Sequence, residues 1–367
     1  MMGHIKKLVV NILTLLAVAV GCLLVAVGYS DHVPPTVHPW VGCAGMIMPA
    51  VVVLNVAMLL VLLSVRWRRA WIPLAAFAAA YMPIRTFIPL HLPVEEAETH
   101  GDSVVRLMTY NVNCYSGNHK YDHGFDTIAA YVMAHDIDVL CLQEEHGKDK
   151  FLDRWHEYFP YNDTLSVSGN VKGMINVLGI HTRLPILRRE RIAYESSTNG
   201  SVAYHLLYGS DTIIVINNHL EGTHLTAEDR NSYSEILRGK RERQEAEEEL
   251  LTLVDKLGES MVKRVPEAEA VHRYVESHRQ YPVIVCGDFN DTPISYVRRI
   301  VAKGLTDCFA EAGCGLGLSY NRKGFNFRID HIFCNSDFTP IHCKVDDKMD
   351  ASDHYPMICS MKMNNKP

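Results

Sequence analysis

The sequence predicts an α/β domain behind a membrane segment, and three observations carry that prediction. Residues 1–93 contain uncharged runs of bilayer length, residues beyond Pro93 alternate short apolar runs with helical stretches, and charge is divided sharply between the two regions. Of 36 basic and 42 acidic residues in a chain of 367, residues 1–93 hold six bases (Lys6, Lys7, Arg66, Arg68, Arg69, Arg85) and one acid, Asp31. Residues 94–367 therefore carry 30 bases and 41 acids, a formal net charge of −11. A hydrophobic content of 48% gives enough core for about two ordinary domains and excludes disorder, while length and composition exclude collagen, coiled coils and small disulfide scaffolds. The acidic balance argues against non-specific duplex binding, which draws its affinity from Lys and Arg neutralising phosphates.

Spans are expected at about 8–28, 41–65 and 71–92, forming a transmembrane region over 1–93. The first two are uncharged and long enough to cross a hydrocarbon core of ~30 Å as helices. A cleaved signal peptide competes for the first, but its apolar run exceeds the usual ~7–15 residues and a second span follows at once. The third is interrupted by Pro73, Pro83, Arg85 and Pro89. Lys6 and Lys7 before the first span, and Arg66, Arg68 and Arg69 after the second, should stay cytoplasmic. If the third span crosses, the domain at 94–367 is extracytoplasmic; if it lies in the interface, that domain is cytoplasmic. Arg85 can snorkel to head groups, and Trp67, Trp71 and Tyr81 suit interfacial positions.

Beyond Pro93, strands are expected at 104–112, 139–143, 175–180, 201–207, 212–220, 283–286, 328–333 and 357–361, several apolar on both faces and so buried in a layered sheet. Helices are expected at 126–134, at 234–257 and at 266–277, the last with Pro266 near its first turn. No cysteine pair has zinc-ligand spacing; Cys141 and Cys286 read as buried fillers, and a Cys308–Cys314 pairing stays open.

The chemistry concentrates where strands end. PVIVCGDFND (282–291) runs an apolar strand into a glycine and then Asp288 and Asn290, which alternation projects to one side while Phe289 points into packing. An Asx turn is the competing reading. TYNVN places Asn111 at a strand tip, and DIDVLCLQEEH carries a strand into Glu144, an oxygen ligand that a hard divalent cation would accept. TIIVINNHL ends near His219. FRIDHIFC buries Asp330, whose carboxylate needs a partner, and ASDHYP offers Asp353 and His354. A carboxylate held against a histidine fixes its tautomer and raises its basicity.

Taken in order, Asn111 in TYNV, Glu144 in LQE, His219 in NNHL, Asp288 and Asn290 in GDFN, Asp330 in RIDHI, and Asp353 with His354 in SDH resemble the motifs of the endonuclease/exonuclease/phosphatase superfamily, the DNase I-like fold, in its membrane-anchored bacterial form. The resemblance covers residues 100–363. It implies a four-layered α/β sandwich over 94–367 and hydrolysis of a phosphoester with Mg2+ or Mn2+. It also implies roles: Glu144 as principal metal ligand with Asn111 beside it and Asp353 contributing; His219 and His354, the latter oriented by Asp330, flanking the scissile phosphate; Asp288 orienting or deprotonating the attacking water; Asn290 donating to a phosphoryl oxygen. The expected reaction is in-line attack by water. The chain departs from the common SRYPI wording at HTRLPI, where Thr182 replaces serine, and residues 225–258 are longer than in compact members. Their charge reads as a solvated helical face, with a substrate lid as the alternative.

The expected partners are a bilayer, in a bacterial inner membrane with the catalytic domain extracytoplasmic, and a phosphoester that is lipid, small molecule or nucleic acid. No obligate protein partner is evident. Sphingomyelinase-like and nuclease substrates stay open, and the competing class is an inactive membrane-anchored phosphate- or lipid-binding module. Arg322, Lys323 and Arg328 read either as a local phosphate clamp or as surface bases.

Overall fold

The computed structural model describes residues 2–92, 103–116, 124–146, 153–168, 176–196, 198–322 and 325–364. The expected boundary between the membrane and catalytic regions, at 93/94, lies outside the described residues, as does Lys323.

The apolar N-terminal runs form helices Met2–Gly28 and Met48–Arg66. Two stretches, His4–Gly28 and Pro39–Arg69, are long and apolar enough to cross a membrane. Most of their apolar side chains face outward, as at Leu15 (69% exposed) and Val53 (67%), which water would oppose and lipid would not. The third run, expected as one span over 71–92, is instead two short helices, Trp71–Ala79 and Tyr81–Phe87, broken at Ala80. Each carries a proline as its third residue, where the missing N–H leaves no helical bond unmade, so each proline favours a new start over continuation. Together these helices retrace the first one. Arg69 donates to Asn11 Oδ1 at 3.0 Å and to Thr14 Oγ1 at 2.6 Å near its beginning, and the Tyr29 hydroxyl donates to the Ala79 carbonyl at 3.0 Å near its end.

Both the connector 29–47 and the segment 85–92 dock on the α/β domain. Arg85 pairs with Glu311 at 2.6 Å. Arg328, buried, donates to the carbonyls of Leu316 (2.6 Å), Thr86 (2.7 Å) and Phe87 (3.3 Å), capping the end of helix Tyr81–Phe87. The surface or phosphate-clamp readings of Arg328 are thereby corrected: its guanidinium is spent on backbone carbonyls that no other group would satisfy.

The region from residue 103 onward contains two six-stranded sheets. The first has the order β13-β14-β1-β2-β4-β3 and the second β5-β6-β7-β8-β12-β9. Here β1 is Val104–Asn111, β2 Val139–Gln143, β3 Tyr161–Ser166, β4 Val177–Thr182, β5 Ile186–Arg191, β6 Gly200–Tyr208, β7 Asp211–His219, β8 Val283–Asp288, β9 Thr306–Asp307, β12 Asp330–Cys334, β13 Phe338–Val345 and β14 Met357–Met363. A separate hairpin pairs β10 (Tyr320–Arg322) with β11 (Phe325–Phe327). Side chains alternate as the pleat requires. Val105 and Leu107 meet Val215, Ile284 and Ile332 between the sheets, while Met108 and Tyr110 face outward onto Phe125 and Ile128 of helix Gly124–Ala134. On the far side, Ile214, Val283 and Val285 pack against Ala268, Val271 and Val275 of helix Arg243–Ser277. The order is helix, sheet, sheet, helix: the expected four layers. Each fully buried aliphatic side chain in these three contact layers stabilises the fold by ~1.5–3 kcal/mol.

Two expectations shift. The helices expected at 234–257 and 266–277 are drawn as Ala227–Leu237 and one 35-residue helix, Arg243–Ser277, that runs through Pro266. The flanking side chains Arg264, Val265, Glu267 and Ala268 are all buried, and this packing outweighs the one backbone bond a proline forfeits. The strand expected from 175 begins at Val177, and residue 175 lies outside the described residues. Cys308 and Cys314 are both free; Cys308 is buried with its Sγ 3.7 Å from that of Cys334, and Cys314 is exposed.

Candidate active site

β1 and β2 run parallel, as do β7 and β8, so the C-terminal ends of all four reach one edge of the sandwich. Register then sets the neighbours: Asn111 stands opposite Gln143, His219 opposite Asp288, and Asp288 opposite Asp330. Gly287 makes the second of these, His219 opposite Asp288, possible. Its φ is +131°, and a Cβ there would lie 2.0 Å from the Asn218 carbonyl oxygen. Replacement by alanine must separate β7 from β8 at the level of His219 and Asp288. The expected cost is ~3 kcal/mol or more, from overpacking and a disallowed backbone together. A denaturation midpoint for Gly287→Ala equal to wild type would show the account of this strand to be wrong.

Asn111 is the junction between the two sheets. Its amide nitrogen donates to Glu144 Oε1 at 3.0 Å and to Asp288 Oδ2 at 3.1 Å, and its Oδ1 accepts from the Asn113 N–H at 3.1 Å with one lone pair left over. Glu144 sits just beyond β2 with φ +53°, a turn that swings its carboxylate into the pocket, where it stays about one-third exposed. The next residue goes the other way: Glu145 is buried, accepting from the Tyr115 hydroxyl at 2.9 Å and pairing with His181 at 2.9 Å.

Asp288 is buried and receives the Asn290 backbone N–H on Oδ1 at 2.8 Å. Burial, the largest influence, holds its carboxyl above the ordinary range; His354 opposes this and Asp330 reinforces it. His354 donates from Nδ1 to Asp330 Oδ2 at 2.9 Å and aims Nε2 at Asp288 Oδ2, 3.6 Å away. Burial alone would lower this imidazole, but Asp330 and Asp288 outweigh it and push it up to about 10, so it is a cation at neutral pH. Asp288, Asp330 and His354 bring one ligand atom each within 4.8 Å of one another. The Asp330–His354 pair is already hydrogen-bonded within this group.

His219 has a defined tautomer. Asn176 Nδ2 donates to the Thr198 carbonyl at 2.9 Å, which fixes its amide orientation, and also to His219 Nδ1 at 2.7 Å. The imidazole proton is therefore on Nε2, facing Glu144 Oε1 at 3.8 Å and Asp288 Oδ2 at 3.7 Å. Asn290 spends one N–H on the Leu220 carbonyl at 3.0 Å and keeps another for the pocket it lines. Asp353 lines the same pocket and is held by Arg322 at 3.2 Å, which accounts for one of the three bases left open by the sequence.

The structure thus brings all eight expected residues to one edge, six of them directly lining a cavity of about 450 Å³; Asn111 and Asp330 stand behind that lining and orient it. Sequence reasoning missed Asn176 and Asn217. Asn217 donates to the carbonyls of Leu142 and Gly179 and accepts from Gln143, tying the sheets together beneath the site. Its signal was present in NNHL: Asn217 lies two residues before His219 on an otherwise apolar strand, where an amide must find buried partners.

The oxygen-rich set at Glu144, Asn111 and Asp353 fits a hard divalent cation, and among the described residues no cysteine lines the pocket.

The family model described as Endonuclease/Exonuclease/phosphatase family matches residues 108–354. A second, described as a domain of unknown function (DUF8431), matches residues 9–87. No curated protein matches the chain. Among solved structures, the chain is similar to the endonuclease/exonuclease/phosphatase from Beutenbergia cavernae, at 16% identity and a TM-score of 0.51 over 72% of this chain and 73% of that one. It is also similar to the human Nocturnin catalytic domain with bound sulfate anion, at 15% identity and a TM-score of 0.51 over 71% of this chain and 95% of that one. At these identities the likeness is one of fold. With two packed sheets, strand-end motifs converging in one pocket and a family match over two-thirds of its length, the chain belongs to the endonuclease/exonuclease/phosphatase family, whose enzymes are phosphoesterases and nucleases generally dependent on a divalent metal.

Proposed function

We propose that this protein is a membrane-anchored phosphoester hydrolase that uses Mg2+ or Mn2+ and works on the extracytoplasmic face of a bacterial inner membrane. The observation that carries the reading is the bridge Glu144–Asn111–Asp288, which couples a pocket-facing carboxylate on one sheet to a buried, proton-hungry carboxylate on the other. When bound at Glu144, with Asn111 and Asp353 beside it, the ion supplies Lewis-acid polarisation of the phosphoryl group. Asp288, with its raised affinity for a proton, orients the attacking water and takes its proton. His354, held cationic by Asp330, and His219 through its Nε2–H stabilise the phosphoryl oxygens as charge builds, and the remaining Asn290 N–H donates to one of them. Water enters in line with the departing ester oxygen, and no enzyme nucleophile is needed.

Orientation rests on the bundle. The helices at 71–87 retrace the first helix, so the connector 29–47 and the catalytic domain share one end, while Lys6, Lys7, Arg66, Arg68 and Arg69 occupy the other. Basic ends stay cytoplasmic, which supports an extracytoplasmic catalytic domain.

The test uses the full chain in detergent with bis-p-nitrophenyl phosphate. Release of p-nitrophenol is expected with Mg2+ or Mn2+, lost with EDTA and restored by re-adding either ion. Metal-independent release would refute the proposed chemistry, and no release from this ester or from DNA, RNA, sphingomyelin, phosphatidylinositol and soluble phosphomonoesters would favour a binding module.

A further inference from the structure

The pocket lining is mixed. Part of it carries the carboxylates, amides and imidazoles described above, and Met46, Leu225, Leu257, Met261, Phe325 and Ile329 give it an apolar part, with further polar groups at Thr223, His224, Arg230 and Arg264. These residues come from three separate parts of the chain. Leu225, Leu253 and Leu257 belong to the stretch expected to be a solvated helical face, yet they are buried in one cluster with Phe325 of the β10–β11 hairpin, against which Cys43 and Met46 also pack. The Tyr233 and Phe325 rings stand 4.5 Å apart in this roof.

Met46 is the telling member, because it lies in the turn Cys43–Ile47 immediately before the membrane helix Met48–Arg66. The turn cannot drift away from the site without losing close packing. Gly45 lies so near the catalytic domain that a Cβ would stand 2.2 Å from the Ile294 carbonyl oxygen. The connector also exposes Val37 (62%) and Trp40 (63%), and Leu90, further along the chain at the same end of the bundle, is 80% exposed. Exposed apolar and indole groups at the end of a membrane bundle suit the headgroup boundary. Through Met46 the apolar part of the site thus adjoins the turn that leads into helix Met48–Arg66.

A site for a nucleotide or a sugar phosphate would place hydrogen-bonding groups opposite the phosphoryl wall. Here other polar groups of the lining are already engaged within the protein: Arg230 donates to the Leu225 carbonyl at 2.6 Å, Arg264 to the Glu221 carbonyl at 2.9 Å and pairs with Asp291 at 3.5 Å, His224 pairs with Glu221 at 2.7 Å, and Thr292 Oγ1 donates to the Ile294 carbonyl at 3.3 Å. We infer that the substrate is an amphiphilic phosphoester taken from the bilayer, its phosphoryl group beside Asp288 and His354 and its hydrocarbon chain against Met46, Leu225, Leu257 and Phe325. This rests on the phosphoesterase reading and adds the substrate class to it.

The experiment is a chain-length series. Full-length protein in detergent is given methyl, butyl and hexyl p-nitrophenyl phosphate with Mn2+; in each case water oxygen bonds to phosphorus, the P–O bond to nitrophenol breaks, p-nitrophenolate leaves and the water protons pass to Asp288 and solvent. Burial can contribute up to about fourfold per methylene, and kcat/KM is expected to rise at least tenfold from methyl to hexyl. Met46→Glu and Phe325→Glu should each flatten that rise. A second arm reconstitutes the protein in phosphatidylcholine vesicles holding dodecyl p-nitrophenyl phosphate, which should be hydrolysed there. Equal kcat/KM across the wild-type series overturns the apolar-chain inference while leaving the phosphoesterase reading intact. Hydrolysis of the hexyl ester without that of the bilayer-held ester overturns delivery from the membrane. No hydrolysis of any ester removes the phosphoesterase reading, and the inference with it.

Discussion

Replacing Glu144 by glutamine is expected to lower metal-dependent kcat/KM by about a thousandfold or more. A bound cation contributes several kcal/mol of charge stabilisation to the transition state, and each ~1.4 kcal/mol is tenfold in rate. Glu144 is suited to this role and to little else. Its carboxylate is about one-third exposed within the pocket and, among the described residues, accepts the Asn111 amide at 3.0 Å and faces His219 at 3.8 Å, so the substitution leaves the core untouched and should cost at most ~1 kcal/mol of stability. Calorimetric titration with Mn2+ separates the two effects: the variant should melt like wild type while its metal affinity falls. Wild-type turnover in Glu144→Gln would refute the assignment.

His354→Ala should cost as much in rate by a different route. It deletes the cation beside the proposed phosphoryl site and strands the buried Asp330 carboxylate, whose Oδ1 already finds no hydrogen-bond partner among the described residues. Activity and stability should both fall. Asp330→Asn isolates the positioning role, because it keeps the imidazole but removes the charge that holds it protonated. The pH dependence has a definite sign. The folded-state value of His354 is raised from 6.5 to about 10, so the pair contributes its full stabilisation below about pH 6.5 and loses it as pH rises through about 10. Activity that depends on the imidazolium should decline over the same alkaline range in wild type, and in Asp330→Asn the decline should move to lower pH. An unchanged alkaline limb in Asp330→Asn would contradict the coupling.

The parts of the fold that were legible in the sequence are those in which one segment carries its own signal. β1, β2, β7, β8 and β14 are largely apolar and mostly buried runs, and the polar side chains at or just past the ends of the first four stood out against that background. β3 and β5 did not stand out. They are edge strands, Tyr161–Ser166 and Ile186–Arg191, with mostly exposed or half-buried polar side chains that lack alternation. The long helix was misdivided because Pro266 carries a strong local stop signal, while the burial of Arg264 that overrides it comes from distant partners, the Glu221 carbonyl and Asp291. The same holds at the site. Single motifs named Asn111 and Asp288, but the hydrogen bond joining them spans 177 positions of sequence, and no local pattern encodes it. The charged stretch 225–258 shows the limit most clearly: its charges predicted a solvated face, which Leu237, Leu250 and Leu251 share, whereas three other leucines, at 225, 253 and 257, built the roof of the pocket.

The central point is that Glu144, with Asn111 and Asp353, holds a divalent ion at the edge of one sheet, across a single cavity from Asp288 of the other. Anomalous diffraction from crystals of the full chain grown with Mn2+ tests it most directly. A single strong peak is expected within ~2–2.5 Å of a Glu144 carboxylate oxygen, with Asp288 and His354 across the same cavity. A peak seated elsewhere, with Glu144 free of metal at saturating Mn2+, would contradict the account.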